Sequence, residues 1–241
     1  MTNTFVLVHE AWHGAWCFER FVVELASRGI AAVPVELTSH GADSSAVGDL
    51  TSDVAVVRAA IDEIDGPVTL LGHGYGGLVI ADAADHPSVD ELVYVAAFLP
   101  GKGDSLLRLT GGGTAPWLHR GPDTVTVQPD RAAGLFYSET APQVAAWAAA
   151  KLQPQSLASF ETEVQSEGWR HLPTTYLVCS QDAALEVRAQ HAWAQQVSDS
   201  RPDSKALVMY SDHSPFLSQP DELAEILVHG RVPAPVGVTA R

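Results

Sequence analysis

Cationic side chains are scarce in this chain: 14 Lys and Arg stand against 29 Asp and Glu in 241 residues, a formal charge of −15. They form no cluster, which argues against nucleic acid or an anionic membrane as a partner. Cysteine is scarcer still. Cys17 and Cys179 lie far apart in apolar stretches and read as buried free thiols of a reducing compartment, not as a disulfide framework. No segment reaches the ~20 consecutive apolar residues of a membrane span, and the opening MTNTFVLVHE lacks the basic flank and long apolar run of a signal peptide. C-x-x-C spacing is absent, and neither a metal nor another cofactor is expected. These absences predict a cytoplasmic protein that handles a small molecule, as a monomer or homodimer, with no nucleic-acid or membrane partner.

What is present is enough apolar material, 46% of the chain, to bury one large core. A single α/β domain is expected over 1–241. Six short β-branched runs are the strand candidates: 4–9 (TFVLVH), 31–37 (AAVPVEL), 68–73 (VTLLGH), 92–98 (LVYVAAF), 175–180 (TYLVCS) and 206–210 (ALVMY). They are continuous instead of alternating, as strands covered on both faces are. Helical periodicity fills the gaps. Phe18, Phe21, Val22 and Leu25 share one face ahead of Gly29, a C-terminal cap, and Leu50, Val54, Val57, Ile61 and Ile64 follow Asp49, an N-cap. This alternation predicts a mainly parallel sheet of about six strands with helices on both faces. Between about 99 and 172 it breaks: Gly and Pro become frequent, no strong strand stands out, and an Ala-rich helical stretch follows. The aromatics Trp117, Phe136, Tyr137, Trp147 and Phe160 fall here. The segment reads as a helical cap over the carboxyl edge of the sheet, where ligands of open α/β sheets bind. The closing RVPAPVGVTAR reads as a mobile tail.

The strand VTLLGH runs into GHGYGG and then a helical stretch, the setting of the G-x-S-x-G nucleophile elbow. Gly72 and Gly76 take the glycine places, but the central place is Gly74. Glycine tolerates the strained elbow backbone, so the turn survives without a nucleophile. Neither a P-loop nor a dinucleotide fingerprint is matched. Downstream, YLVCSQD ends a strand with Asp182 and MYSDHSPF ends the last one with Asp212 and His213. Elbow, acid, then histidine is the α/β-hydrolase order, with Asp182 preferred to Asp212 as the residue that orients His213.

FVLVHEAWHGAWCF, GHGYGG, YLVCSQD and DHSPFLSQPDEL together resemble the α/β-hydrolase superfamily over 5–226, most closely the branch of plant hydroxynitrile lyases and methyl-ester esterases. The resemblance implies an α/β-hydrolase fold. It makes the backbone N–H groups of Ala11 and Tyr75 an oxyanion hole, with His13–Trp16 as support. It also places Trp12, His73, Trp117, Phe136, Trp147 and Ser214 around a substrate. Two positions depart from the pattern: Gly74 stands where serine is usual, and Glu10 stands where the esterases carry glycine, turned into the pocket as a candidate acid or base. Three readings stay open. Glu10, His213 and Asp182 suit a lyase that abstracts a proton and expels a leaving group such as acetate from a small, natural-product-like substrate. The alternative is a carboxylesterase-type hydrolase, inactivated by exchange of its serine for Gly74 or working through a His-activated water. The third is a binding protein that keeps only the pocket.

Overall fold

The computed structural model describes residues 3–43, 47–112 and 115–229; the tail at 231–241 lies outside them. In chain order the strands are β1 (Thr4–Val8), β2 (Ala32–Val35), β3 (Val68–Gly74), β4 (Val89–Ala97), β5 (Leu118–Arg120), β6 (Thr124–Val127), β7 (Gln155–Ser156), β8 (Thr174–Cys179) and β9 (Lys205–Met209). The helices are α1 (Glu19–Ser27), α2 (Leu50–Asp62), α3 (Gly76–Ala83), α4 (Leu106–Leu109), α5 (Pro129–Phe136), α6 (Pro142–Ala149), α7 (Leu157–Glu161), α8 (Val187–Ser200), α9 (Pro215–Ser218) and α10 (Pro220–His229). No helix among the described residues is long and apolar enough to cross a membrane.

The six apolar runs form one sheet in the order β2-β1-β3-β4-β8-β9, with every pair parallel. Parallel pairing requires crossovers, and the helices between the strands supply them. All seven residues of β3 are buried, the signature of a central strand covered on both faces. Helix α1 packs on α10 and α2 on α3. The caps fall where the residues put them. Asp49 Oδ1 accepts the Ser52 N–H while Ser52 Oγ accepts the Asp49 N–H, and Gly29 closes α1 with φ +74°.

The chain steps from β1 outward to β2, then returns to the other side of β1 for β3. The carboxyl ends of β1 and β3 therefore flank a topological switch point, with Val8 paired to Gly72. The loop after β1, residues 9–12, meets the turn after β3 there. A Cβ at Gly76 would stand 2.4 Å from the Val8 carbonyl oxygen, so this close approach requires glycine.

The segment between β4 and β8 corrects one expectation. It is not purely helical: β5, β6 and β7 form a three-stranded antiparallel sheet. Strands of two to four residues are too short to print a periodicity on the sequence. The Ala-rich stretch also breaks, with Pro154 and β7 separating α6 from α7.

Gln155 ties this insertion to the sheet. Its Oε1 accepts the Trp12 N–H at 3.0 Å, and its Nε2 donates to Ser39 Oγ at 2.7 Å. Ser39 Oγ donates in turn to Asp53 Oδ2, which also accepts the Tyr75 hydroxyl at 2.9 Å. Asp53 Oδ1 takes the N–H groups of Thr38 and Ser39. Asp53 sits within the apolar stripe of α2, three residues after Leu50 and one before Val54, so a lone acid on a buried face was its visible signal. Burial pushes its carboxyl above the usual range against these hydrogen bonds. Asp53→Ala strands several buried donors at once, and urea denaturation should show a loss of about 3 kcal/mol, against about 1 kcal/mol for Tyr75→Phe.

Candidate functional site

Glu10 follows β1 with its carboxylate turned inward, 4% exposed. Oε1 accepts two backbone N–H groups, Ala11 at 2.7 Å and Tyr75 at 2.8 Å. The two donors expected to form an oxyanion hole are thus side by side, and the side chain of Glu10 occupies them. Across the same gap, Gly74 holds φ +52° at the end of β3. A Cβ on Gly74 would stand 1.2 Å from Glu10 Oε2 and 2.0 Å from its carboxyl carbon. The carboxylate therefore fills the volume of a side chain at position 74, and the two residues exclude one another's alternatives.

His213 completes the group. Its Nδ1 donates to Asp182 Oδ2 at 2.7 Å, and its Nε2 lies 3.4 Å from Glu10 Oε2. That second separation is an ion-pair contact, not a hydrogen bond, and Nε2 has no hydrogen-bond partner among the described residues. Asp182 is held by the N–H groups of Ala184 and Leu185 and by the Gln190 amide. Asp212 points elsewhere, accepting from Ser214 N and Ser218 Oγ and from Glu139 N and Thr140 Oγ1 of the insertion. Burial alone would lower the His213 pKa; the charge and hydrogen bond of Asp182, with Glu10 beyond, outweigh it and raise the pKa to about 10. His213 thus stands in line between the carboxyl groups of Asp182 and Glu10.

The neighbouring histidines remain neutral. His73 Nε2 donates to the His213 carbonyl oxygen at 2.8 Å, bracing the loop of the charged residue. Burial, helped by the charge of His213, takes its pKa well below the ordinary value. His13 donates from Nδ1 to the Ala11 carbonyl and accepts the Tyr137 hydroxyl at Nε2, and burial lowers its pKa to about 3. His9 is held between the Glu10 carbonyl and the Leu37 N–H.

Residues 9–13 read HEAWH, which has the H-E-x-x-H spacing of zinc helices, but the run leaves a strand and turns, so the two imidazoles do not share a helical face. Glu10, His73 and His213 do offer ligand atoms within 4.8 Å of one another, as do His9, Glu36 and His40. In the second group both ring nitrogens of His9 are taken by the backbone.

Glu10 and His213 open on a cavity of about 410 Å³. Its walls are largely apolar, with Trp12, Trp117, Phe136 and Phe160 as aromatic lining and Leu106 and Trp193 as contributors that the sequence did not single out. Trp12 adopts φ +66°, unusual for a bulky residue, and is clamped by its indole N–H on the Val125 carbonyl, by Gln155 and by the Gln153 N–H. Three expected pocket residues fall outside the lining. Trp147 is 42% exposed, packing on Trp16 and under Lys151, because α6 buries Ala145 and Ala148 instead. His73 and Ser214 are buried behind His213.

The model of the alpha/beta hydrolase family matches residues 5–226. The chain belongs to the alpha/beta hydrolase family. Among curated members of the family it is 27% identical to norfluorocurarine synthase 2 of Strychnos over 93% of each chain. It is 26% identical to methyl jasmonate esterase 1 of Vitis vinifera over 92% of this chain and 94% of that one. Among solved structures, the Arabidopsis methylesterase MES16 superposes with a TM-score of 0.78 at 24% identity, over 95% of this hydrolase-family chain and 98% of that one. Its relatives are enzymes, esterases and a synthase among them.

The mutual exclusion of Glu10 and a side chain at 74 has a direct test. Gly74→Ser alone should lose about 1–3 kcal/mol of stability to overpacking and hydrolyse no p-nitrophenyl acetate. Adding Glu10→Gly frees both the volume and the two N–H groups, and the double variant should release p-nitrophenol. Activity in the single variant would show that the carboxylate does not hold this space.

Proposed function

We propose that this hydrolase-family enzyme works without a serine nucleophile, as a lyase that removes a proton and a leaving group from a small apolar substrate held beneath the insertion at 99–172. Glu10 Oε2 is the base and His213 Nε2–H is the acid, oriented and kept charged by Asp182. The observation that carries this reading is the Glu10 carboxylate seated on the amides of Ala11 and Tyr75 beside Gly74. No acyl-enzyme can form at a glycine, and a substrate oxyanion finds both donors taken. What remains is an acid–base pair in a mainly apolar cavity, where proton transfer by positioned groups contributes about 10²–10⁴-fold.

The second reading, direct hydrolysis by a His213-activated water, draws support from the esterases among the relatives. It requires a free lone pair on Nε2, whereas the carboxyl groups of Asp182 and Glu10 on either side of the ring favour its protonated form.

Turnover of an aryl-substituted β-acetoxy ketone in water enriched in heavy oxygen separates the two. A lyase cleaves the alkyl–oxygen bond and releases unlabelled acetate and an alkene; hydrolysis yields labelled acetate and an alcohol. Glu10→Gln and His213→Ala should each lower alkene formation about 10²-fold or more while circular dichroism stays native. Labelled acetate from the wild type, or a silent Glu10→Gln, would reject the proposal.

The pH dependence follows from the same ionisation. Because the folded pKa of His213 lies above its ordinary value, protonation stabilises the fold fully below about pH 6.5, and this contribution fades as pH rises through about 10. Alkene formation should fall over the same alkaline limb, and ring-nitrogen NMR of His213 should titrate with it.

A further inference from the structure

The geometry of the acid and the base restricts the stereochemistry of any elimination they carry out. Glu10 commits Oε1 to two amides and His213 commits Nδ1 to Asp182, so each has one free atom, Oε2 and Nε2. Those atoms stand 3.4 Å apart on residues of one cavity wall. The other ionisable side chains along the cavity are Arg120, which is paired to Glu161 at 3.1 Å, and the exposed Glu186. Apart from Thr110 and backbone, the remaining lining is aliphatic or aromatic. An anti elimination places the departing hydrogen and the leaving group on opposite sides of the carbon–carbon bond, where a base and an acid on one wall cannot both reach. A syn elimination places them eclipsed on one side, facing a pair with this spacing.

Resting on the acid–base reading above, we propose that the site takes carbonyl compounds with an oxygen leaving group on the β carbon and removes it, together with the α hydrogen, from the same face. Glu10 Oε2 takes the α proton, and the C–H electron pair becomes the new C=C bond. The C–O bond breaks with its electrons on oxygen, and that oxygen takes the proton from His213 Nε2, leaving as a neutral acid or alcohol. Glu10 is then protonated and His213 neutral. The proton passes from Oε2 to Nε2 across the 3.4 Å gap and restores the starting state with no net proton exchanged. Proximity also explains why no separate proton relay is required.

The probe is the acetate of the benzaldehyde–acetone aldol, of single configuration at the acetoxy carbon, with deuterium in one or the other position of the adjacent methylene. Wild-type enzyme converts it to trans-benzylideneacetone, and mass spectrometry, corrected for the buffer reaction, reads which label is lost. Loss of the deuterium that is syn to acetoxy in the conformer leading to the trans alkene, by about tenfold or more over the other, is the expected result. Loss of the anti deuterium, or equal loss of both, overturns the same-face geometry and leaves acid–base elimination standing. Release of the alcohol in place of the alkene, or no turnover, overturns the substrate class together with the reading beneath it.

Discussion

The carboxylate of Glu10 rests on the N–H groups of Ala11 and Tyr75, and the remainder of the site is arranged around that one interaction. It requires glycine at 74, because the carboxylate occupies the place of any Cβ there. It also requires the two donors to be held together although one follows β1 and the other begins the helix after β3. Parallel pairing at the switch point brings the segments into register, and the buried side chains of Gln155, Ser39 and Asp53 link Trp12 to Tyr75 behind them. Gln155 belongs to the insertion, so the insertion is hydrogen-bonded into the same network that backs the two donors.

A carboxylate out of water is tolerated only when paired and hydrogen-bonded. Here the contacts are shared along a line: His213 lies between Asp182 and Glu10, and the further oxygen atoms of both acids accept backbone or side-chain amides. Three other buried imidazoles, His9, His13 and His73, surround this line; burial lowers the pKa of all three, whereas the carboxyl groups beside His213 raise its own. His73 and His13 serve as uncharged braces. A proton on either would repel a charge on His213.

Much of this is legible in the amino-acid sequence. The six strands of the main sheet matched their apolar runs because strands buried on both faces leave continuous hydrophobic segments. The cap at Asp49 and the end at Gly29 were local chemistry and fell in place. The small sheet of the insertion was not legible, since strands of two to four residues carry no periodicity. Trp147 was misplaced for a related reason: an Ala-rich helix with one tryptophan does not declare which face is buried, and α6 turned its small residues inward. Asp53 was visible only as an acid in an apolar stripe, and its partners come from three other segments.

Residue identity by itself determined the family, the sheet, the glycine at the turn and the presence of one acid and one histidine after the last two strands. Such features depend on local patterning and chain order. That Glu10 occupies the paired amides and that its free oxygen stands beside His213 Nε2 were decided only by tertiary structure, which also places Asp182, the acid that chain order favours, on the far side of that ring. Apart from the adjacent Ala11, the residues concerned are separated by 31 to 203 positions, and distances of a few ångströms between them exist only once parallel strands bring their carboxyl ends to one edge. A carboxylate in a solvated loop and a carboxylate filling the space of a side chain at position 74 are the same letter in a sequence; packing makes them different chemical groups.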